Sequence, residues 1–119
     1  MTATSYVQGY TGRLETRLTV PSTPKAGQVA VVCHPHPLFG GTMDNKVVTT
    51  IVRAYKEHGI AVVSFNFRGV GHSEGVHDNG IGEIDDAMAV ITWALAQTQA
   101  TELYLAGFSF GSYIAAATV

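Results

Sequence analysis

The amino-acid sequence predicts an α/β protein with a largely parallel sheet and helices on both of its faces. Three runs of almost uninterrupted apolar residues, at 29–33, 60–65 and 103–107, are typical of strands covered on both faces. Two longer segments between them, 45–58 and 81–97, carry apolar residues at helical spacing. Because parallel neighbours need a crossover connection, this alternation of strand and helix indicates right-handed β–α–β units.

The first twenty residues predict an antiparallel hairpin instead. Residues 6–12 and 13–20 have the character of two short strands joined near Gly12. Apolar and charged side chains alternate in the second strand, which suits a strand with one face in solvent. The prolines and glycine within residues 21–27 cannot continue a ladder, so we expect a surface loop there.

The two long segments are predicted to be amphipathic helices. The first begins at a cap formed by Asp44 or Asn45 and ends at Gly59. Its apolar face comprises Val48, Ile51, Val52 and Tyr55. The second helix, 81–97, is expected to present Ile81, Ile84, Met88, Ile91 and Leu95 on one face.

The strand order predicts where a ligand crevice opens. If strand 60–65 lies on one side of strand 29–33 and strand 103–107 lies on the other, the helices cover opposite faces. The winding then reverses above the carboxyl ends of strands 29–33 and 103–107, where open α/β sheets bind ligands. We expect the loop of residues 34–41 and Ser109 at this point.

The sequence Gly-Phe-Ser-Phe-Gly at residues 107–111 is the most informative motif. It has the pattern G-x-S-x-G, follows an apolar strand and leads into the helix-compatible residues 112–117. In that context the pattern predicts a sharp strand-to-helix turn that exposes a nucleophilic serine, Ser109. Larger side chains at the two glycines would collide with the neighbouring strand and helix. The alternative is an ordinary strand-to-helix connection with a chance serine, which the context disfavours.

A serine nucleophile also needs backbone amides that stabilise an oxyanion. One comes from the residue after the serine, here Phe110, and the other from the loop after the third strand. In that loop Pro35 and Pro37 have no N–H, so the second donor is His36 or Leu38, with His36 favoured by position.

Other candidate sites receive weaker support from the sequence. The pair His34 and His36 could ligate a metal, but no further ligand cluster accompanies it, so a loop-shaping role is favoured. The glycine-rich loop 69–75 has the wrong spacing for dinucleotide binding and is interpreted as a tight turn. Asp85 and Asp86 are interpreted as acids that favour a helix N-terminus rather than paired catalytic carboxylates.

Two further histidines, His72 and His77, are interpreted as solvated loop residues. Trp93, Phe65 and Phe67 are expected in the core or the crevice wall.

Composition excludes several function classes. The net charge is −2 and no basic stripe is present, so neither nucleic acid nor an anionic membrane is an expected partner. No secretory signal or membrane-spanning run is visible, and Cys33 is the single cysteine, which fits a reducing cytoplasmic location. No metal or organic cofactor is needed for chemistry of the serine type.

Three segments together resemble the small bacterial α/β-hydrolases related to dienelactone hydrolase. They are CHPHPLFGGTMDNK at 33–46, FNFRGVGHS at 65–73 and GFSFG at 107–111. The resemblance implies an eight-stranded sheet with antiparallel first strands, and a hydrolase that acts on small carboxylic esters or related acyl substrates through an acyl-enzyme on Ser109. It also implies oxyanion roles for Phe110 and, less directly, for His36.

The same resemblance implies a triad whose acid and histidine follow the serine in sequence. Ten residues follow Ser109, so we expect residues 1–119 to form one domain truncated after the serine turn, without those two groups. The alternative is a catalytically inactive fragment or an interaction module. Strand 103–107 is then an open sheet edge, through which self-association is expected.

Overall fold

A computed structural model describes the whole chain, residues 1–119, as one five-stranded sheet with helices on both faces. The strands are Thr2–Gln8 (β1), Arg13–Thr19 (β2), Gln28–Cys33 (β3), Ala61–Phe65 (β4) and Glu102–Gly107 (β5). The helices are Lys46–Glu57 (α1), Ile81–Thr98 (α2) and Phe110–Ala117 (α3). None of these helices is both long and apolar enough to cross a lipid bilayer.

The sheet has the predicted mixed topology, with strand order β1-β2-β4-β3-β5. β1 pairs antiparallel with β2, and β2 pairs antiparallel with β4. β3 lies between β4 and β5 and is parallel to both, with Val31 opposite Val63 on one side and Leu105 on the other. The α/β fold class predicted from the sequence is therefore confirmed.

Two separate apolar layers show that the helices cover opposite faces of the sheet. Ala30 and Val32 of β3 pack in a cluster with Val48 of α1. Val29 and Val31, which point the other way, belong to the larger cluster beneath α2 and α3. Because side chains alternate across a strand, the unbroken apolar run of β3 supplies both layers.

The first strand lies earlier in the chain than predicted. β1 occupies Thr2–Gln8, whereas the prediction placed it at 6–12. Its register pairs Thr2 with Thr19 and Val7 with Leu14, and the turn is closed by the Gly9 amide, which donates to the Gly12 carbonyl at 2.9 Å. Since β1 is an outer strand with mostly exposed residues, it has little apolar alternation by which to recognise it.

The buried face of α2 also differs from the prediction. Ile81 and Met88 are exposed, while Ile84 and Leu95 pack only partly buried against the core. The buried residues of the helix are Gly82, Glu83, Asp86, Ala87, Val90, Ile91 and Ala94. The small alanines let the helix approach the sheet closely, and two acids on the same face find polar partners in the preceding loop.

A buried ion pair between Arg68 and Asp86 anchors that loop to α2. The guanidinium donates from Nη2 to Oδ1 at 2.8 Å and from Nε to both carboxylate oxygens, and the Arg68 backbone amide donates to Oδ2 at 2.9 Å. The hydrogen bond that the Arg68 side chain donates to Asp86 raises the pKa of Arg68 above its usual range. A Cβ at Gly82 would lie 2.3 Å from Nη1, so a glycine is needed beside the pair. The interpretation of Asp86 as a helix-terminal acid is therefore wrong.

β5 is less buried than its apolar sequence predicts. The strand forms one edge of the sheet, and Glu102 and Tyr104 are exposed. An apolar run thus indicated the strand correctly but not its burial, because burial depends on what lies beyond the edge.

Asp86→Asn should lower the free energy of unfolding by about 3–5 kcal/mol, because it leaves the Arg68 charge buried without its counter-ion. The matched control is Asp85→Asn, since Asp85 is half-buried and makes no side-chain hydrogen bond or ion pair; its effect should stay within about 0.5 kcal/mol. Urea unfolding measures both. Similar losses of unfolding free energy in the two variants would show that the Arg68–Asp86 ion pair stabilises the fold no more than the half-buried Asp85 does.

Candidate active site

Ser109 occupies a strained turn between β5 and α3. Its backbone has φ 57° and ψ −118°, a region that costs a non-glycine residue on the order of 1–3 kcal/mol. The residue is exposed and stands at the N-cap of α3, yet its side chain makes no capping hydrogen bond. The hydroxyl is therefore free at the surface, beside the positive end of the α3 dipole.

The two glycines of the motif are required for space. A Cβ at Gly107 would lie 2.4 Å from the backbone of Gly111, at the start of α3. A Cβ at Gly111 would lie 2.1 Å from the Cys33 carbonyl oxygen, at the end of β3. The turn is thus wedged between its own helix and the central strand, as the G-x-S-x-G pattern predicts.

His34 is buried and joins the loop after β3 to the segment after β4. Its Nδ1 lies 2.7 Å from the Pro35 carbonyl, and its Nε2 accepts from the Phe67 amide at 3.1 Å. These partners make Nδ1 the protonated nitrogen. Desolvation lowers the pKa of His34 to about 4, against a weaker opposing effect of the Pro35 hydrogen bond. Both nitrogens are occupied, so His34 shapes the loop.

His36 caps a single 3₁₀ turn, Pro37–Phe39, which forms the next part of this loop. Its Nδ1 accepts from the Leu38 amide at 3.1 Å, and its carbonyl accepts from the Gly41 amide at 3.0 Å. The His36 amide itself donates no hydrogen bond within the chain. Of the two predicted donors, His36 therefore has a free amide and Leu38 does not.

The end of the loop is fastened to the neighbouring strands through Asn66. The Met43 amide donates to Asn66 Oδ1 at 2.8 Å, and Asn66 Nδ2 donates to Glu15 Oε1 at 2.8 Å. A Cβ at Gly41 would lie 2.0 Å from the Pro35 carbonyl oxygen, so a glycine is needed where the loop folds back.

The structure brings His36 and Phe110 together. Their ring centroids are 4.7 Å apart, which places the loop after β3 against the first residue of α3. Because the first residues of a helix have no intrahelical acceptor for their amides, Phe110 N–H is also unpaired by the helix. Two predicted oxyanion donors thus belong to residues in contact.

His77 was not predicted near the site, but its ring lies there. The centroid of its ring is 5.0 Å from that of His36 and 6.0 Å from that of Phe110, and its side chain is mostly buried. The interpretation of His77 as a solvated loop residue is therefore wrong. No local pattern marks this residue, because its partners lie 41 and 33 positions away in sequence.

The other nucleophilic and metal-ligating groups do not compete with Ser109. Burial raises the pKa of the Cys33 thiol to about 12, so it stays protonated. His72 is exposed, as predicted. No three His, Cys, Asp or Glu side chains converge in a geometry that could hold a metal ion.

The sequence of this chain is similar to a family of known proteins and to a bacterial relative. The family model described as X-Pro dipeptidyl-peptidase (S15 family) matches residues 9–118. An uncharacterized protein of Rickettsia prowazekii is 43% identical over 111 residues, which make up 92% of this chain and 46% of that protein.

Solved structures also match nearly the whole of this chain. An alpha-beta serine hydrolase homologue from Coxiella burnetii is 48% identical, with a TM-score of 0.92, and the match covers 97% of this chain and 55% of that one. A serine hydrolase without lid from Xanthomonas campestris is 46% identical, with a TM-score of 0.91 and coverage of 98% and 56%. This chain therefore spans about half the length of the relatives it matches.

Gly111→Ala should destabilise the fold by about 3 kcal/mol or more, because the added methyl overlaps the Cys33 carbonyl oxygen. Gly40→Ala is the control: Gly40 has φ 81° but nothing within 4 Å of an added Cβ, so only the backbone cost of about 1–2 kcal/mol is expected. Thermal unfolding compares the two. An equally mild effect at Gly111 would mean that the turn does not pack against β3.

His34 should make stability depend on pH between about 6.5 and 4. Its pKa falls from 6.5 to about 4 on folding, so the neutral ring stabilises the fold above pH 6.5 and this contribution, on the order of 3 kcal/mol, is lost as the pH falls. Wild type should lose more unfolding free energy between pH 7 and pH 4.5 than His34→Gln does, and the difference should be on the order of 2–3 kcal/mol. His72→Gln, altered at an exposed ring, should keep the wild-type slope; equal slopes in all three proteins would contradict the assignment.

Proposed function

Because the chain belongs to the X-Pro dipeptidyl-peptidase (S15) family, a family of hydrolases, we propose that it carries the nucleophile and the oxyanion amides of a serine hydrolase. The observation that carries the proposal is Ser109: a strained, exposed serine at a helix N-terminus whose hydroxyl caps nothing. A serine in that position normally caps its helix, so the free hydroxyl is consistent with a chemical role.

The proposed reaction is acyl transfer in two steps. Ser109 Oγ attacks the acyl carbon, the carbonyl π pair moves onto oxygen, and a base takes the hydroxyl proton. The Phe110 and His36 amides donate to the resulting oxyanion. When the tetrahedral intermediate collapses, the bond to the leaving alcohol breaks and the alcohol receives the proton. Water then attacks the acyl-enzyme in the same way and releases the acid.

We propose small carboxylic esters, or related acyl compounds, as substrates. The resemblance of residues 33–46, 65–73 and 107–111 to relatives of dienelactone hydrolase supports this class. The family description names a peptidase, and hydrolysis of an X-Pro peptide would use the same serine and the same amides. The two substrate classes are therefore alternatives within one mechanism.

The base and its orienting acid are proposed to come from outside residues 1–119. Both nitrogens of His34 are engaged, and Nδ1 of His36 accepts from Leu38. The relatives are about twice as long as the matched region, which leaves room for those groups.

An interaction module is the second candidate. β5 is an edge strand, and an open cleft of about 550 Å³ lies between it and α3, lined by apolar residues such as Leu103, Leu105 and Ala116. A further strand added beside β5 fits this surface, whether from the same chain or from a second copy.

A fluorophosphonate probe should label the full-length protein that contains residues 1–119, and Ser109→Ala should abolish the labelling. Ser112→Ala is the matched control, because Ser112 is exposed on the next turn and should label as wild type does. Turnover of a p-nitrophenyl ester and of an X-Pro p-nitroanilide then separates the two substrate classes. Undiminished labelling of Ser109→Ala would remove Ser109 from the mechanism, and absence of labelling throughout would favour the interaction module.

A further inference from the structure

We infer that His77 is a positioning residue whose ring, packed beside Glu83, holds the His36 and Phe110 amides at the spacing that an oxyanion needs. The inference rests on the proposed function, because it assigns a role within the same site. His77 acts through its two neighbours and does not touch the reacting atoms.

Three rings from three different segments meet at this point. His36 follows β3, His77 lies in the segment after β4, and Phe110 follows β5. The ring centroids are 4.7 Å apart between His36 and Phe110, 5.0 Å between His36 and His77, and 6.0 Å between His77 and Phe110. The three rings therefore connect the segments that follow three neighbouring strands, and two of the rings belong to the residues of the proposed oxyanion donors.

Glu83 lies beside His77, the third of these residues, and is itself held by backbone amides. Its fully buried carboxylate accepts from the Gly80 amide at 3.0 Å and from the Asp78 amide at 2.8 Å. His77 Nδ1 lies 3.1 Å from Glu83 Oε2, but the pair does not meet hydrogen-bond geometry, so this nitrogen makes no hydrogen bond. The ring contacts with His36 and Phe110 therefore set the position of the His77 ring beside the buried carboxylate.

Phe110 is held by the same segment from a second direction. A Cβ at Gly80 would lie 3.4 Å from Phe110 Cε1 and 3.6 Å from Tyr113 Cε2, so both rings pack closely over this glycine. The segment 77–80 thus contacts the start of α3 in two ways, through the His77 ring and through Gly80.

His36 has no comparable anchor of its own. Its hydrogen bonds to Leu38 and Gly41 stay within the loop, and none of them reaches the Ser109 turn or α2. His36 is connected to the Ser109 turn by its ring contact with Phe110, and to the segment before α2 by its ring contact with His77. Loss of the His77 ring removes one of the two ring contacts that hold His36 at this position, so the His36 amide gains freedom to move relative to Phe110.

The expected effect of such a movement is on kcat. The donors bind the oxygen most strongly once it is charged, and removing one oxyanion donor outright costs about 10²–10³ in kcat in a well-studied protease. Displacing a donor should cost less, about tenfold, with KM nearly unchanged.

Two variants separate positioning by the ring from a purely structural link to Glu83. His77→Phe keeps an aromatic ring and loses the nitrogen near Glu83, whereas His77→Asn keeps a polar atom near Glu83 and loses the ring. In the full-length protein with a p-nitrophenyl ester, we expect His77→Phe to keep kcat within about threefold of wild type and His77→Asn to lose about tenfold, with KM within about twofold in both. His72→Ala, which alters an exposed histidine of the same loop, should behave as wild type does.

Unfolding midpoints measured alongside show whether each variant is folded at the assay temperature. A kcat for His77→Asn equal to or above that of His77→Phe would overturn the inference, as would losses confined to KM or to stability. If His77→Asn does not fold, a loss of more than threefold in kcat for folded His77→Phe overturns it. Failure of the proposed function is seen separately, because turnover would then survive Ser109→Ala.

Discussion

The close approach of the serine turn to the end of β3 is the constraint on which the rest of the site depends. Gly111 sits against the Cys33 and His34 carbonyls with no room for a Cβ, and Gly107 sits equally close to the start of α3. Between two contacts of this kind the backbone at Ser109 is forced to φ 57°, which directs its side chain outward. The same contact brings Phe110 within ring distance of His36, so one packing contact positions both the proposed nucleophile and the residues of the proposed oxyanion amides.

Around this contact, the loops are held by buried polar groups more than by apolar packing. Arg68 and Asp86 fasten the loop after β4 to α2, Asn66 fastens the loop after β3, and His34 joins these two loops. An unpaired buried polar group costs free energy, so each of these hydrogen bonds admits few alternative geometries. A site built in this way is preorganised, which is what stabilisation of a transient oxyanion requires.

Much of the fold could be predicted because its signals are local. The apolar runs of β3, β4 and β5, the cap at Asn45 and the G-x-S-x-G turn each depend on residues a few positions apart. The register of β1, the buried face of α2 and the partner of Asp86 could not be predicted in the same way. Each depends on residues distant in sequence. For α2 the apolar pattern was only partly right: Ile84, Ile91 and Leu95 pack on the core, but two acids and several alanines are buried in place of Ile81 and Met88.

From the sequence alone one could predict the α/β class, the order of the three parallel strands, and Ser109, Phe110 and His36 as candidate site residues. Glycine spacing and apolar runs depend on local backbone conformation and strand formation, so both can be recognised in the sequence. The folded arrangement was needed to show that the Leu38 amide is engaged, that both nitrogens of His34 are occupied and that His77 lies beside His36 and Phe110. Those contacts join loops that follow different strands, and their geometry exists only once the parallel strands have brought their carboxyl ends together.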